Sequence, residues 1–197
     1  MKNIFILSFL IFASSVFSQE LETLIYIDNS TSINRATTLS MEVSSVVEAS
    51  NEVGVLMLGD SYKDGKPNPE LYDLNDENLL NNISNICWTR KKIQTPKEIY
   101  STIADVIDKR KLVVYNNSDK NRKQMVPIDL HLFFNVSTFV LKDIYKNVVK
   151  QLIVDYKLID SQFNCIIHLD YTKKKEQYND YIEHFKNKSN NIKIKEY

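Results

Sequence analysis

Short apolar runs rich in β-branched and aromatic residues alternate with longer amphipathic segments along most of this chain. Such runs are typical of strands buried on both faces, whereas apolar residues that recur every three or four positions indicate helices. Strands that alternate with helices are joined by right-handed crossovers into a mostly parallel sheet with helices on both faces. The sequence therefore predicts a doubly wound α/β fold.

A hairpin signal interrupts this alternation once. Asp64-Gly65 favours a tight turn, and Pro67 and Pro69 follow it, so we expect a short antiparallel strand at the sheet edge, from Glu70 to Leu74. Residues 112–115 fit either the end of a helix or an additional edge strand. The other predicted strands cover 24–27, 53–58, 128–134, 163–169 and 192–197, and the predicted helices cover 34–50, 79–86, 96–109, 139–156 and 176–187.

The first residues have the pattern of a secretory signal. Lys2 precedes an apolar stretch over residues 4–17, and Val16-Phe17-Ser18 offers small residues at the positions before a cleavage site. The stretch is shorter than the roughly 20 residues that a membrane-spanning helix needs. We therefore expect residues 1–18 to be a signal peptide and residues 19–197 to form one exported domain, periplasmic or secreted, without a transmembrane segment.

Charge and cysteine content restrict the partners and the chemistry. The chain has 25 basic and 25 acidic residues, a balance that does not favour nucleic acid as a partner. Its two cysteines, Cys87 and Cys165, would meet an oxidising compartment, where a disulfide is an option. Cys165 lies in a predicted core strand, where a free buried thiol is equally common. The sequence leaves both outcomes open.

The predicted carboxyl ends of the strands carry polar side chains: Asp28, Asp60, Asn135 and Asp170. Asp28, Ser30 and Ser32 directly follow the first strand, and in an extended backbone these alternate residues point to one side. A carboxylate and two hydroxyls are suitable ligands for a hard cation such as Mg²⁺. Ligands of open α/β sheets bind at this edge, where the strand order reverses. The alternative is that residues 29–32 only turn the chain and cap the following helix.

Asp28-Asn29-Ser30-Thr31-Ser32 matches the Asp-x-Ser-x-Ser signature of the metal-ion-dependent adhesion site, so the chain resembles a von Willebrand factor type A domain over nearly the whole mature region. In such domains a Thr and an Asp from two further loops complete the metal shell. The resemblance places the Thr at Thr95 and the Asp at Asn135. An amide there implies weaker binding of Mg²⁺ or Mn²⁺, unless Asp170 or Asp60 compensates for the missing charge.

Thr95 also has a purely structural interpretation. Thr95-Pro96-Lys97-Glu98 has the pattern of a capping box with Pro at the first helical position, which predicts a helix that begins here. The cap by itself would explain a Thr at this position. Two hypotheses therefore apply to Thr95: it caps the helix, or it is a metal ligand.

The resemblance implies a binding module in which an acidic residue of a protein ligand completes the metal shell, and not an enzyme. One alternative is a metal-free structural or assembly domain, which Asn135 favours. Another is a Mg²⁺-dependent phosphohydrolase with Asp28 as the nucleophile, but such chemistry usually needs a second carboxylate where Ser30 stands. His131 and His168 lie in predicted central strands and are interpreted as core histidines. Neither a cysteine–histidine motif nor a glycine-rich phosphate loop is present.

Overall fold

The computed structural model describes residues 21–28, 36–50, 53–63, 65–89, 95–117, 127–134, 142–156, 163–169, 179, 183 and 192–197. The strands are β1 (Glu22–Ile27), β2 (Gly54–Lys63), β3 (Lys66–Asp73), β4 (Ile128–Phe134), β5 (Phe163–Leu169) and β6 (Ile192–Glu196). The helices with defined bounds are α1 (Ala36–Ala49), α2 (Leu79–Trp88), α3 (Pro96–Asn117) and α4 (Lys142–Tyr156).

The strands form one six-stranded sheet in the order β3-β2-β1-β4-β5-β6. Strand β3 pairs antiparallel with β2, and the other neighbouring pairs are parallel. The order along the chain reverses between β1 and β4, so the carboxyl ends of these two strands flank the topological switch point. The prediction of a doubly wound α/β fold with one antiparallel edge strand is confirmed.

Strand β1 lies at the centre of two apolar cores. All six of its residues are buried, and successive side chains point to opposite faces of the sheet. Ile25 and Ile27 contribute to the core beneath α1 and α2, whereas Leu24 and Tyr26 contribute to the core beneath α3 and α4. This burial on both faces explains why the sequence of the strand is a continuous apolar run and does not alternate between apolar and polar residues.

The hairpin is longer than the sequence predicts. Strand β2 continues to Lys63 with a register shift between Leu58 and Ser61, and β3 begins at Lys66 and includes both prolines. Proline fits there because β3 pairs on one side only, so a missing N–H need not break a ladder. Asp60 therefore lies within the β2–β3 ribbon and not at the carboxyl end of a strand, and the prediction that placed it at that end was wrong.

For two further helices, the structure can be compared with the predicted bounds. Helix α3 extends to Asn117, so residues 112–115 belong to the helix and do not form an extra strand. Of the predicted helix over residues 176–187, the structure describes Asn179 and Glu183, and both are helical. The predicted signal peptide lies outside the described residues. Among the described helices, none combines the length and the hydropathy that a membrane crossing requires.

Both cysteines are free thiols. Cys87 lies in the core beneath α1 and α2, and Cys165 lies in the core on the other face of the sheet. Burial raises the pKa of each thiol to about 12. Because the sheet separates the two residues, a disulfide between them would require the fold to open.

Candidate functional site

Asp28 occupies the position that the sequence predicts for it, at the carboxyl end of β1. Its backbone N–H donates a hydrogen bond of 2.9 Å to the carbonyl oxygen of Phe133 in β4, and the residue is partly buried. This bond holds the start of the loop at the switch point between the two strands. Asn135 comes directly after the last residue of β4. Three of the predicted ligands lie outside the described residues: Ser30, Ser32 and Asn135 itself.

Thr95 forms the predicted capping box at the start of α3. Its backbone N–H donates to Glu98 Oε2 at 2.6 Å, and its Oγ1 accepts from the Glu98 N–H at 3.3 Å. Both groups are exposed, so the bonds compete with water and fix the first helical turn only modestly. The cap uses one lone pair of the Thr95 hydroxyl, which leaves a second lone pair for another partner.

A second carboxylate, that of Glu98, acts on the same buried side chain as Asp28. Tyr26 is fully buried, and its pKa is raised well above the usual value, first by burial and then by the negative charges of Asp28 and Glu98. The two carboxylates therefore act on the same phenol from the end of β1 and from the start of α3. The sequence analysis treated Glu98 only as a capping residue. Its place three residues after Thr95 was the signal that the side chains of these two residues would meet at the start of α3.

The donor set suits a hard divalent cation. Asp28, Thr95 and Glu98 offer carboxylate and hydroxyl oxygens, which Mg²⁺ and Mn²⁺ prefer to nitrogen or sulfur. The described residues contain no group of three or more His, Cys, Asp or Glu side chains that would form a metal cage by themselves. A complete shell would therefore need further ligands, and the sequence offers the predicted ligands Ser30, Ser32 and Asn135, which lie outside the described residues. Asp170, the other candidate compensating acid, lies outside the described residues.

The two central-strand histidines are buried, as the sequence predicts, but they are not simple packing residues. His131 Nδ1 lies 2.9 Å from His168 Nε2, and His131 Nε2 lies 3.3 Å from Asp129 Oδ2. The His168 ring also stacks on Phe133, with centroids 4.0 Å apart and planes inclined by 11°. The pKa of His168 is lowered to about 3, mainly by burial and to a smaller extent by the positive charges of His131 and Lys195.

No protein-family model matches the sequence, and a search of curated proteins finds no match either. The resemblance to von Willebrand factor type A domains therefore rests on the strand-end motif and on the order of the secondary-structure elements. The fold itself is Rossmann-like, with the strand order that places ligands at the edge where Asp28 lies.

Proposed function

We propose that this chain is an exported binding module of the von Willebrand A type, in which a divalent cation at the carboxyl edge of β1 and β4 recognises an acidic residue of a protein ligand. The observation that carries the proposal is the position of Asp28 at the topological switch point of the sheet. Its backbone bond to Phe133 ties the signature motif to the strand that ends beside it. Ligands of this class of sheet bind at that point.

Each proposed ligand contributes in a different way. Asp28 supplies the negative charge, and Ser30 and Ser32 would supply hydroxyl oxygens from the loop that follows. Thr95 and Asn135 would contribute directly or through water, and the charge of Glu98 favours a cation nearby. A bound Mg²⁺ or Mn²⁺ would act as a Lewis acid toward a carboxylate of the partner. A site with an amide at residue 135 would bind the free cation weakly and depend on that partner.

Calorimetric titration of the purified protein with MgCl₂ and MnCl₂ tests the proposal. We expect a saturable signal with both cations that is lost in Asp28→Ala, because the variant removes the carboxylate of the signature motif. Glu77→Ala is the matched control, since it removes an exposed carboxylate from the turn before α2. Equal responses of the wild-type protein and Asp28→Ala would contradict the proposal.

A metal-free structural or assembly domain is the second candidate. The capping box favours it, because the bonds between Thr95 and Glu98 account for both residues without a cation. Under this alternative the motif after β1 serves as a turn and a helix cap. If the domain is metal-free, Mg²⁺ and Mn²⁺ should leave the melting temperature of the wild-type protein unchanged. Asp28→Ala should then change the stability to the same extent with and without the cation.

A further inference from the structure

Strand β3 forms one edge of the sheet. Within the described part of the chain, its hydrogen-bonded neighbour is β2, on one side only. All of its residues are exposed or partly buried. The outer side of an exposed edge strand carries backbone N–H and C=O groups that can pair with a strand of another molecule. An edge strand of this kind therefore needs a feature that prevents such pairing.

The hydrogen bonds at the two ends of β3 show which of its backbone groups face β2. Lys66 pairs with Lys63 across a connection of two residues, and the closing pair of such a hairpin is hydrogen-bonded. At the other end, the N–H of Leu74 donates to the carbonyl oxygen of Gly54 at 3.1 Å. The backbone groups of successive strand residues point to alternate sides. The even-numbered residues from 66 to 74 therefore face β2, and the odd-numbered residues face away from it.

The register shift in the hairpin does not disturb this alternation. Leu58 and Ser61 are three positions apart in β2, whereas their partners Glu70 and Asn68 are two positions apart in β3. The extra residue of the bulge therefore lies in β2, and β3 continues as a regular strand. Both ends of β3 give the same assignment of inward and outward residues, which agrees with a bulge confined to β2.

Two of the outward-facing residues of β3 are prolines. The outward-facing positions are Pro67, Pro69, Leu71 and Asp73. Proline has no backbone N–H, so the first two positions offer a carbonyl oxygen and no donor. The carbonyl oxygen of Asp73 already accepts a hydrogen bond of 3.2 Å from the N–H of Asp76 in the following turn. An antiparallel neighbour exchanges an N–H···O bond in each direction with such residues, so the two prolines cannot form a complete pair.

The prolines also have an explanation that involves no second molecule. Pro67 pairs with Tyr62 at a position where no N–H faces β2, so a residue with an N–H would fit the hairpin as well. The fixed φ of proline restricts the unfolded chain, which stabilises a fold wherever the native backbone is compatible. The two explanations differ in what happens when an outward N–H is restored, because only one of them then expects two molecules to associate.

We propose that Pro67 and Pro69 close the β3 edge of the sheet against strand pairing with a second copy of this chain. Two identical edges meet in antiparallel orientation about a two-fold axis, so the donors that one copy lacks leave carbonyl oxygens of the other copy without a partner. Leu71, which is 48 % exposed, lies on the same strand and would add apolar contact to such a dimer. The inference does not depend on a cation at the end of β1.

Sedimentation equilibrium of the purified protein from about 10 μM to about 1 mM tests the proposal. We expect Pro67→Thr/Pro69→Thr to show an apparent mass that rises with concentration toward twice that of the wild-type protein. Lys66→Thr/Asn68→Thr is the matched control, because it introduces the same side chains at exposed positions whose N–H groups face β2. We expect this control to keep the wild-type mass. The proposal is wrong if the proline variant keeps the wild-type mass at about 1 mM, or if the control associates to the same extent.

A comparison of the two single variants separates pairing at this edge from association of misfolded protein. Pro69→Thr joins the restored N–H to those of Leu71 and Asp73 in a continuous outward row, whereas Pro67→Thr leaves a gap at residue 69. We expect Pro69→Thr to associate at least about tenfold more tightly than Pro67→Thr. The Leu71 amide should become protected from hydrogen exchange as the Pro69→Thr dimer forms. Equal association of the two variants, or association that leaves the Leu71 amide unprotected, would overturn the proposal.

Discussion

Thr95 and Glu98 form a helix cap in the structure, and we propose a second role for Thr95 at the cation site. Each backbone N–H of the pair is bonded to the side chain of the other, which fixes the start of α3. Glu98 also acts electrostatically on Tyr26, together with Asp28, the residue that directly follows β1. The cap explains the residues locally, and their position makes them candidates for the cation site.

We expect Thr95→Ala to lower the free energy of unfolding by about 1 kcal/mol, which is the usual cost of a lost helix cap. Thr95→Ser retains the hydroxyl and should stay within about 0.5 kcal/mol of the wild-type protein. Urea denaturation in the presence of EDTA measures the cap without any cation. A Thr95→Ala variant as stable as the wild-type protein would show that the capping box contributes nothing.

His168 predicts a dependence of stability on pH. Its pKa is lowered to about 3 in the folded protein, mainly by burial, so below the unfolded-state pKa of about 6.5 the unfolded chain binds more protons. Its contribution is intact above pH 6.5 and is lost as the pH falls toward 3. The limiting loss is about 1.4 kcal/mol per pH unit.

His168→Phe isolates this contribution, because Phe can keep the stacking on Phe133 but does not titrate. Urea denaturation of both proteins at pH 7 and pH 4.5 gives the comparison, and carboxylate titration affects both alike. We expect the wild-type protein to lose more stability than the variant over this interval. Equal losses would show that His168 does not titrate differently on unfolding.

At the level of elements, local sequence patterns predict the positions of strands and helices better than they predict the candidate site. The prediction of 128–134 and 163–169 as strands matches β4 and β5 because two-sided burial selects continuous apolar runs. The start of β3 was not predicted, since the residues of this strand are exposed or only partly buried and leave no apolar pattern in the sequence.

Two glycines offer a matched comparison of backbone constraints. Gly54 has φ of 147°, and a Cβ there would lie 1.8 Å from the carbonyl oxygen of Thr23 in the neighbouring strand. Gly65, in the hairpin turn, has φ of 74° and nothing within 4 Å of its Cβ position. We expect Gly65→Ala to cost about 1–2 kcal/mol, the usual strain of a left-handed residue.

Gly54→Ala should destabilise the protein by more than Gly65→Ala, because β1 and β2 must separate to admit the methyl group. Thermal denaturation of the two variants side by side gives the order. A Gly54→Ala variant at least as stable as Gly65→Ala would contradict the close approach of β2 to β1.

At the level of the whole molecule, the parts that the sequence did not predict are the ones that depend on register between distant segments. The His131–His168 contact exists because β4 and β5 pair with Phe133 opposite His168, and nothing local to either strand specifies that register. The same holds for Glu98, which acts electrostatically on Tyr26 because α3 packs in the same apolar core as β1. Asp28 was predictable because its position depends only on the strand that precedes it.

The two-sided core also predicts the state of the cysteines. Cys87 and Cys165 are buried on opposite faces of the sheet, and burial raises the pKa of both thiols. We expect protein purified without reductant to keep two free thiols that react with a thiol reagent only after denaturation. An intact mass lower by two hydrogens, indicating a disulfide, would contradict this arrangement of the cores.

Paramagnetic broadening of the backbone amide resonances by Mn²⁺ shows whether a cation binds where β1 and β4 end. We expect substoichiometric Mn²⁺ to broaden the resonances of Asp28 and Phe134 strongly and to leave those of Thr23 and Asp129, at the opposite ends of the same strands, little affected. In Asp28→Ala this gradient should disappear. Broadening that is uniform along both strands, or that is unchanged in Asp28→Ala, would show that no cation binds at this edge of the sheet.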